Sequence, residues 1–440
     1  MSASPARRLR WAEIIAVGTE LLAPPRLDTN SLVITRRLND LGIEIRAKTI
    51  VGDRADDLRS AVRGAMARTE LVVLCGGLGP TDDDLTRDVV ADVTSRAMSE
   101  DPGIVDEIRR RFEARGARMP ERNRRQALVP DGAVVLPNAA GTAPGLWIEH
   151  EGSILVLLPG PPAELTPMLE SVVEGRLASL AGDERLHRRV LRVCGRTESE
   201  TDEAVAPVYS QWLHEDPPVE TTILSSPGQV ELDLTLRSAS AARASARLEA
   251  AVGALTAILG ADVYSTDGRT IEETVGGLLR ARGWRIGVAE SCTGGLVSAR
   301  LTEVPGSSDY VGLNVVCYSN EAKAAHLGVD RALLAAHGAV SEPVALAMAD
   351  GIRALAGADI GLGVTGIAGP SGGSASKPAG TVVIAATTAR DRLVRTFRFP
   401  TGRARVRLFS VQLALDLARR PLTGQAPGGA FVYSPSAGRG

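Results

Sequence analysis

Short runs of consecutive apolar residues alternate with stretches of helical spacing along most of this chain. Between residues 12 and 180 the order is "AEIIAVG", a helical pattern through "NSLVITRRLNDLG", then "EIRAKTIVG", a helix through "DDLRSAVRGAMART", and "LVVLCGG". "SILVLLPGPP" at 153–162 adds another apolar run closed by a Gly/Pro turn. This β-α-β-α-β rhythm predicts a mostly parallel sheet covered by helices on both faces. The loops after its strand ends are then the natural positions for a site. From about 187 to 265 the period changes. "RRVLRVCG", "VETTILSS" and "VELDLTLRS" alternate at period two, and "ARASARLEAAVGALTAILG" reads as a long amphipathic helix, which predicts a small α+β module. A third α/β stretch opens near Thr270 with "TIEETVGGLLRARG" and runs to about 420. The Gly-, Pro- and Ser-rich segment 421–440 is expected to be a flexible tail.

A length of 440 residues exceeds what one core supports, in line with two or three domains. With 44% hydrophobic and 23% charged residues the composition is that of a soluble globular protein, and 46 glycines suit close helix-to-sheet packing. A net charge of -2 offers no general attraction to nucleic acid or membrane. The middle module also lacks a G-x-x-G clamp with flanking basic residues, so no nucleic-acid partner is expected. Cys75, Cys194, Cys292 and Cys317 form no C-x-x-C pair, which argues against a zinc site or disulfide framework and for a reducing cytoplasm. Arg7, Arg8 and Arg10 are followed by no apolar signal core, and no run of about 18 apolar residues is evident, so neither export nor membrane insertion is expected.

Candidate chemistry concentrates in the third stretch. In "WRIGVAESCTGGLVSARL" the apolar run Ile286 to Ala289 reads as a buried strand and helical spacing resumes at Leu296, leaving Ser291, Cys292 and Thr293 in the turn. A serine hydroxyl needs a base. His326 and His337 fit no written Ser-His-Asp order, and the G-x-S-x-G elbow is absent. A desolvated lysine is the other candidate. "NVVCYSNEAKAAHLG" predicts a strand from Asn314 to Tyr318, a Ser or Asn cap, and Lys323 in the first helical turn, so that Tyr318 and Lys323 can point into one cleft. "GVTGIAGPSGG" ends a third strand in a glycine loop whose N–H groups suit a phosphate or an oxyanion. Each feature alone has a plain structural use: Ser291 and Thr293 as caps, Cys292 as a small buried residue, Tyr318 in a core, Lys323 as a surface charge. Their combination is what points to chemistry.

"VAESCTGG", "YSNEAK" and "GVTGIAGPSGG…KPAGTV" together resemble the C-terminal domain of the competence/damage-inducible protein A (CinA) family, which includes nicotinamide mononucleotide deamidases. The resemblance implies a metal-free Ser-Lys amidase that releases ammonia from nicotinamide mononucleotide. It assigns attack to Ser291, the base to Lys323, orientation or proton relay to Tyr318, and a hydrogen bond to the amide or serine to Thr365. It further implies substrate contacts from Thr293, Gly294 and Gly295, with the N–H groups of the 291–295 turn binding the oxyanion, and from Gly366, Gly369 and Gly372, whose loop would hold the phosphate. Ser371 stands where the family often carries glycine.

Near the N-terminus, "CGGLGPTDDDLTRD" sets a glycine turn before three acids. Glycines admit a phosphate and carboxylates repel it unless a divalent cation intervenes, although acids at a helix start also complement its dipole. "AVGTELL", "DTNS", "GGLGPTDDDLT", "NAAGTAPG" and "LPGPPAE" resemble the N-terminal domain of the same family, which has a molybdopterin-binding-like fold. Some members hydrolyse ADP-ribose with a divalent metal. The matching residues are Asp28, Asn30, Gly76, Gly77, Gly79, Thr142 and Gly160 for substrate and Asp82, Asp83 and Asp84 for a magnesium or cobalt ion. Ala23, Pro24, Pro25 and Arg26 replace the family's usual glycine-containing turn, and the two prolines remove two donors there. The resemblance thus implies a three-layer α/β/α molybdopterin-binding-like domain at 1–180, a KH-like α+β connector at 187–265, an α/β amidase domain at 270–420 and a homodimer. Nucleotide binding without turnover, or a molybdopterin-handling role for the first domain, are the alternatives.

Overall fold

The computed structural model describes residues 8–425, which divide into two compact units, 8–187 with 237–241 and 188–236 with 242–425. In the first unit the strands are β1 (Trp11–Val17), β2 (Glu44–Val51), β3 (Leu71–Cys75), β4 (Met98–Glu100), β5 (Leu128–Pro130), β6 (Val134–Leu136), β7 (Gly145–His150) and β8 (Ser153–Leu158). Six of them form one sheet in the order β2-β1-β3-β8-β7-β6, while β4 and β5 make a separate antiparallel ribbon. The β2-β1-β3-β8 portion is parallel, and β7 and β6 add an antiparallel edge.

The continuous apolar runs of β1 and β3 supply both faces of this sheet, because successive side chains alternate sides. Ala12, Ile14 and Ala16 join Leu71, Val73 and Cys75 in a core closed by Ile34, Leu38, Leu165 and Leu169 from the helices Asn30–Asp40 and Pro162–Val172. Ile15, Val17, Val72 and Leu74 join a second core with Leu58, Val62, Val89 and Val90 from Ala55–Met66 and Thr86–Val93. Three layers follow, as the sequence led us to expect. Where β3 ends, Gly76 has φ +103°, and a Cβ there would stand 2.2 Å from the Val17 carbonyl oxygen. Only glycine lets the two strand ends approach so closely above the cleft they open into.

In the second unit a small four-stranded sheet has the order β10-β11-β9-β12, from β9 (Arg185–Cys194), β10 (Glu220–Ser226), β11 (Gln229–Ser238) and β12 (Val263–Ser265). The helix through Ala241–Asp262 is long and apolar enough to cross a membrane by length and composition, which the sequence reading did not register. Ala244, Leu248, Ala251, Leu255 and Leu259 pack in the core of this small module, the ordinary use of an amphipathic stripe. Most of this module falls within the second compact unit. Buried Asp262 pairs with Arg196 (2.8 Å) and with Arg420 (3.3 Å), and Arg420 also holds Asp416 (2.8 Å) on the last helix. Removing one member would leave buried charge uncompensated.

A five-stranded sheet, β14-β13-β15-β16-β17, forms the rest, from β13 (Ile286–Glu290), β14 (Val311–Val316), β15 (Ile360–Gly366), β16 (Thr381–Thr387) and β17 (Arg392–Arg398). β14, β13 and β15 are parallel, so their C-terminal ends open on the same side. The helix Glu342–Ala356 lies so close that Cβ atoms at Gly361 and Gly363 would meet the carbonyls of Ala349 and Ala345 at 2.0 and 2.5 Å. Two boundaries differ from the sequence reading. β14 stops at Val316, because the carbonyls of Cys317 and Tyr318 accept from Lys323 instead of a neighbouring strand. The helix Arg403–Thr423 runs past 420 with Leu422 fully buried and Gly424 ending it, so 421–424 are part of the domain; residues 426–440 of the expected tail lie outside the described residues.

Candidate active site at a buried serine and lysine

The parallel strand ends bring together the residues singled out above. β13 delivers Glu290 and Ser291, and the turn through Gly294 (φ +62°) and Gly295 (φ +93°) enters the helix Leu296–Glu303. Beyond β14, Ser319 caps the helix Asn320–Leu327 by accepting from the Ala322 N–H at 3.1 Å, which aims Lys323 back at β13. Lys323 Nζ lies 3.2 Å from Ser291 Oγ, 3.0 Å from the Cys317 carbonyl and 3.1 Å from the Tyr318 carbonyl.

Lys323 is 1% exposed and Ser291 7%. Burial pushes the ammonium below the 10.5 ordinary for lysine, and no carboxylate pairs with it among the described residues. In the neutral amine two N–H bonds serve the two carbonyls, and the lone pair then faces the serine hydroxyl. That is the geometry of a base. Sulfur is a poor competitor: desolvation raises the Cys292 thiol to about 12 and also raises Cys317. His326 and His337 are exposed and belong to no such arrangement.

Several expected contributions fall elsewhere. Tyr318 is 61% exposed, its hydroxyl accepts from Arg403 at 3.3 Å, and its contact with the lysine is through its carbonyl. Thr365 is buried, but its hydroxyl donates to the Ala339 carbonyl at 2.9 Å, which occupies the proton expected for the amide or the serine. The Gly294 N–H donates to the Ser291 carbonyl (3.1 Å) and the Gly295 N–H to the Glu290 carboxylate (2.9 Å), which removes both as oxyanion donors. Thr293 is fully buried and offers its carbonyl to Arg407. Gly366 is a strand residue packed against Thr381, Val382 and Cys292, not part of the loop. Gly369 and Gly372, at φ +82° and +90°, do shape that loop.

Three contributors escaped the sequence reading. Glu290 is fully buried and its carboxylate accepts from the N–H groups of Gly295, Val297 and Ser298 (2.9, 3.1 and 2.9 Å) and from the Ser298 hydroxyl (2.6 Å). It caps the helix that follows the serine. Arg403 and Arg407, from the first turns of the last helix, reach the Gly369 and Thr293 carbonyls. The signals were an acid immediately before the serine, and arginines at i and i+4 after Gly402.

In the first unit a cleft of about 640 Å³ is lined by Asp28, Asn30, Gly76, Gly77, Gly79, Asp83, Asp84, Thr142 and Gly160, together with Glu20, Asp53 and Glu164. Asn30 donates to the Gly160 carbonyl at 2.7 Å, and Asp28 accepts from the Ser31 N–H at 3.0 Å. The three consecutive acids do not converge. Asp82 is fully exposed beside Arg125 and outside the cleft, Asp84 accepts from the Thr81 N–H at 2.9 Å, and the Thr81 hydroxyl helps hold the Asp83 carboxyl below the usual range. Among the described residues no group of three or more His, Cys, Asp and Glu side chains stands ready to hold a metal ion, and of the three expected ligands Asp83 and Asp84 line the cleft while Asp82 lies outside it. Asp83 and Asp84 both lean on Thr81, and Asp82 faces Arg125.

Residues 268–422 match the family described as the CinA C-terminal domain, and 13–179 match a probable molybdopterin binding domain. A CinA-like protein of Acidobacterium capsulatum is 44% identical over 93% of this chain and 99% of its own length. A putative competence-damage inducible protein of Symbiobacterium thermophilum is 45% identical over 85% and 88%. Among solved structures, the competence/damage inducible protein CihA from Agrobacterium tumefaciens is 39% identical, covering 35% of this chain and 93% of that one, with a TM-score of 0.34.

Proposed function

The chain belongs to the CinA family, and on that premise we propose that its C-terminal domain hydrolyses the carboxamide of nicotinamide mononucleotide, giving nicotinate mononucleotide and ammonia. The observation that carries this reading is the buried Lys323 amine 3.2 Å from the Ser291 hydroxyl. Neutral Lys323 takes the serine proton as Oγ adds to the carboxamide carbon. Negative charge then develops on the carbonyl oxygen. The lysine returns its proton to the departing nitrogen, so ammonia leaves and a serine ester remains. Water, deprotonated by the same amine, cleaves the ester and regenerates Ser291. The protein should release ammonia and nicotinate mononucleotide in equal amounts. Binding of the nucleotide with neither product formed would contradict the reading.

For the first unit the dispersed carboxylates favour ligand binding without phosphate cleavage. Its cleft has room for a nucleotide or a pterin, and Asp28 and Asp84 accept from their own turns while Asp53 accepts from the Thr19 N–H and Glu164 from the Asn138 amide. No AMP should form from ADP-ribose with magnesium or cobalt present, and steady AMP formation would overturn this half.

A further inference from the structure

Two guanidinium groups border the serine and lysine, and neither is spent on a carboxylate among the described residues. Both come from the start of the helix Arg403–Thr423, four positions apart, and so project from one face. Arg407 is partly buried and grips the Thr293 carbonyl with two nitrogens, at 2.8 and 3.3 Å. Its work is to hold the turn. Arg403 is exposed, and its terminal nitrogens donate to the Gly369 carbonyl (3.1 Å) and the Tyr318 hydroxyl (3.3 Å), both uncharged. A solvent-facing guanidinium steadied by two neutral acceptors keeps its capacity for a planar, two-pronged contact with an anion.

Tyr318 sets the distance of that charge from the reacting atoms. Its carbonyl is on Lys323 and its hydroxyl on Arg403, so one tyrosine, 61% exposed, separates the two ends. The glycine loop borders the same region, where exposed Ser371 and Gly372, the latter at φ +90°, follow the Gly369 carbonyl that Arg403 holds. Nicotinamide mononucleotide has the matching order: a carboxamide at one end, a flat ring and ribose, and a phosphate at the other.

We propose that Arg403 is a specificity-determining residue that receives the phosphate monoester of the substrate and so separates nucleotide from nucleoside. The choice of nucleotide rests on the amidase reading, whereas the phosphate contact does not. The test is calorimetric titration of the full chain carrying Ser291→Ala, which cannot turn over, with nicotinamide mononucleotide and with nicotinamide riboside. Adding Arg403→Gln should weaken the mononucleotide by roughly 10- to 100-fold, the range of a lost charge-assisted contact, and leave the riboside as it was. Arg403→Lys should recover part of the loss, since it restores charge without the fork. Equal losses for both ligands, or none for the mononucleotide, would overturn the assignment. A protein that discriminates by phosphate through Arg403 yet releases no ammonia upholds this inference and retires the amidase reading.

Discussion

The two units handle acids and bases in opposite ways. Around Ser291 a few polar groups are buried and aimed at one another: two carbonyls and a hydroxyl surround one amine, and Glu290 spends its whole carboxylate on the helix that follows the nucleophile. In the N-terminal cleft six carboxylate residues line an open space, and Asp28 and Asp84 among them accept from their own backbone turns. The difference separates a place where burial shifts one proton affinity from an open space ringed by carboxylates. Desolvation acts on the lysine in the first because water is excluded.

The comparison can be broken most sharply at the nucleophile. Ser291→Ala should lower ammonia release at least roughly a hundredfold without loss of folded protein, since the side chain is small and its removal leaves the lysine its two carbonyls. Retained turnover would move the chemistry elsewhere. Glu290→Gln should cost about tenfold in kcat with KM little changed, and lower the Tm, because a neutral amide cannot accept all four hydrogen bonds that fix the turn. An unchanged kcat would show that the cap is structural only.

In the other unit the contrast is sharpened by a pair of neighbours. Asp84→Asn should destabilise by about 1 kcal/mol through its lost bonds to Thr81, while Asp82→Asn should stay within about 0.5 kcal/mol, measured by urea unfolding. Cooperative loss at both positions, dependent on added metal, would restore a shared ligand site. The smallest effect is expected from Cys292→Ala, less than about threefold on turnover, because a thiol raised to about 12 is protonated at neutral pH.

Much of this was legible because it is local. Apolar runs of β1, β3, β8 and β13, the cap at Ser319 and the strand-to-helix turn at Ser291 are set by neighbours in the chain. The pairing of Ser291 with Lys323 could be read from two strand ends in a parallel sheet. What stayed hidden depends on direction or on distant chain. A tyrosine after a strand can turn its ring either way, and here the lysine took its carbonyl while Arg403 took its hydroxyl. Asp82, Asp83 and Asp84 read as a cluster, but Asp82 faces Arg125 outside the cleft. Arg403 and Arg407 come from a helix more than a hundred residues after Ser291, and nothing near the serine announces them.

The central claim is that Lys323 works as an uncharged amine. Its folded pKa is lowered by burial, so the neutral form becomes the major one as pH rises through a value below 10.5, and turnover must rise with it. The direct measurement is the pH profile of kcat/KM for ammonia release from nicotinamide mononucleotide by the full chain, beside Lys323→Ala. The account predicts an ascending limb with a midpoint below that of free lysine, absent from a variant at least roughly a hundredfold slower. A flat profile, or the same limb persisting in Lys323→Ala, would contradict it.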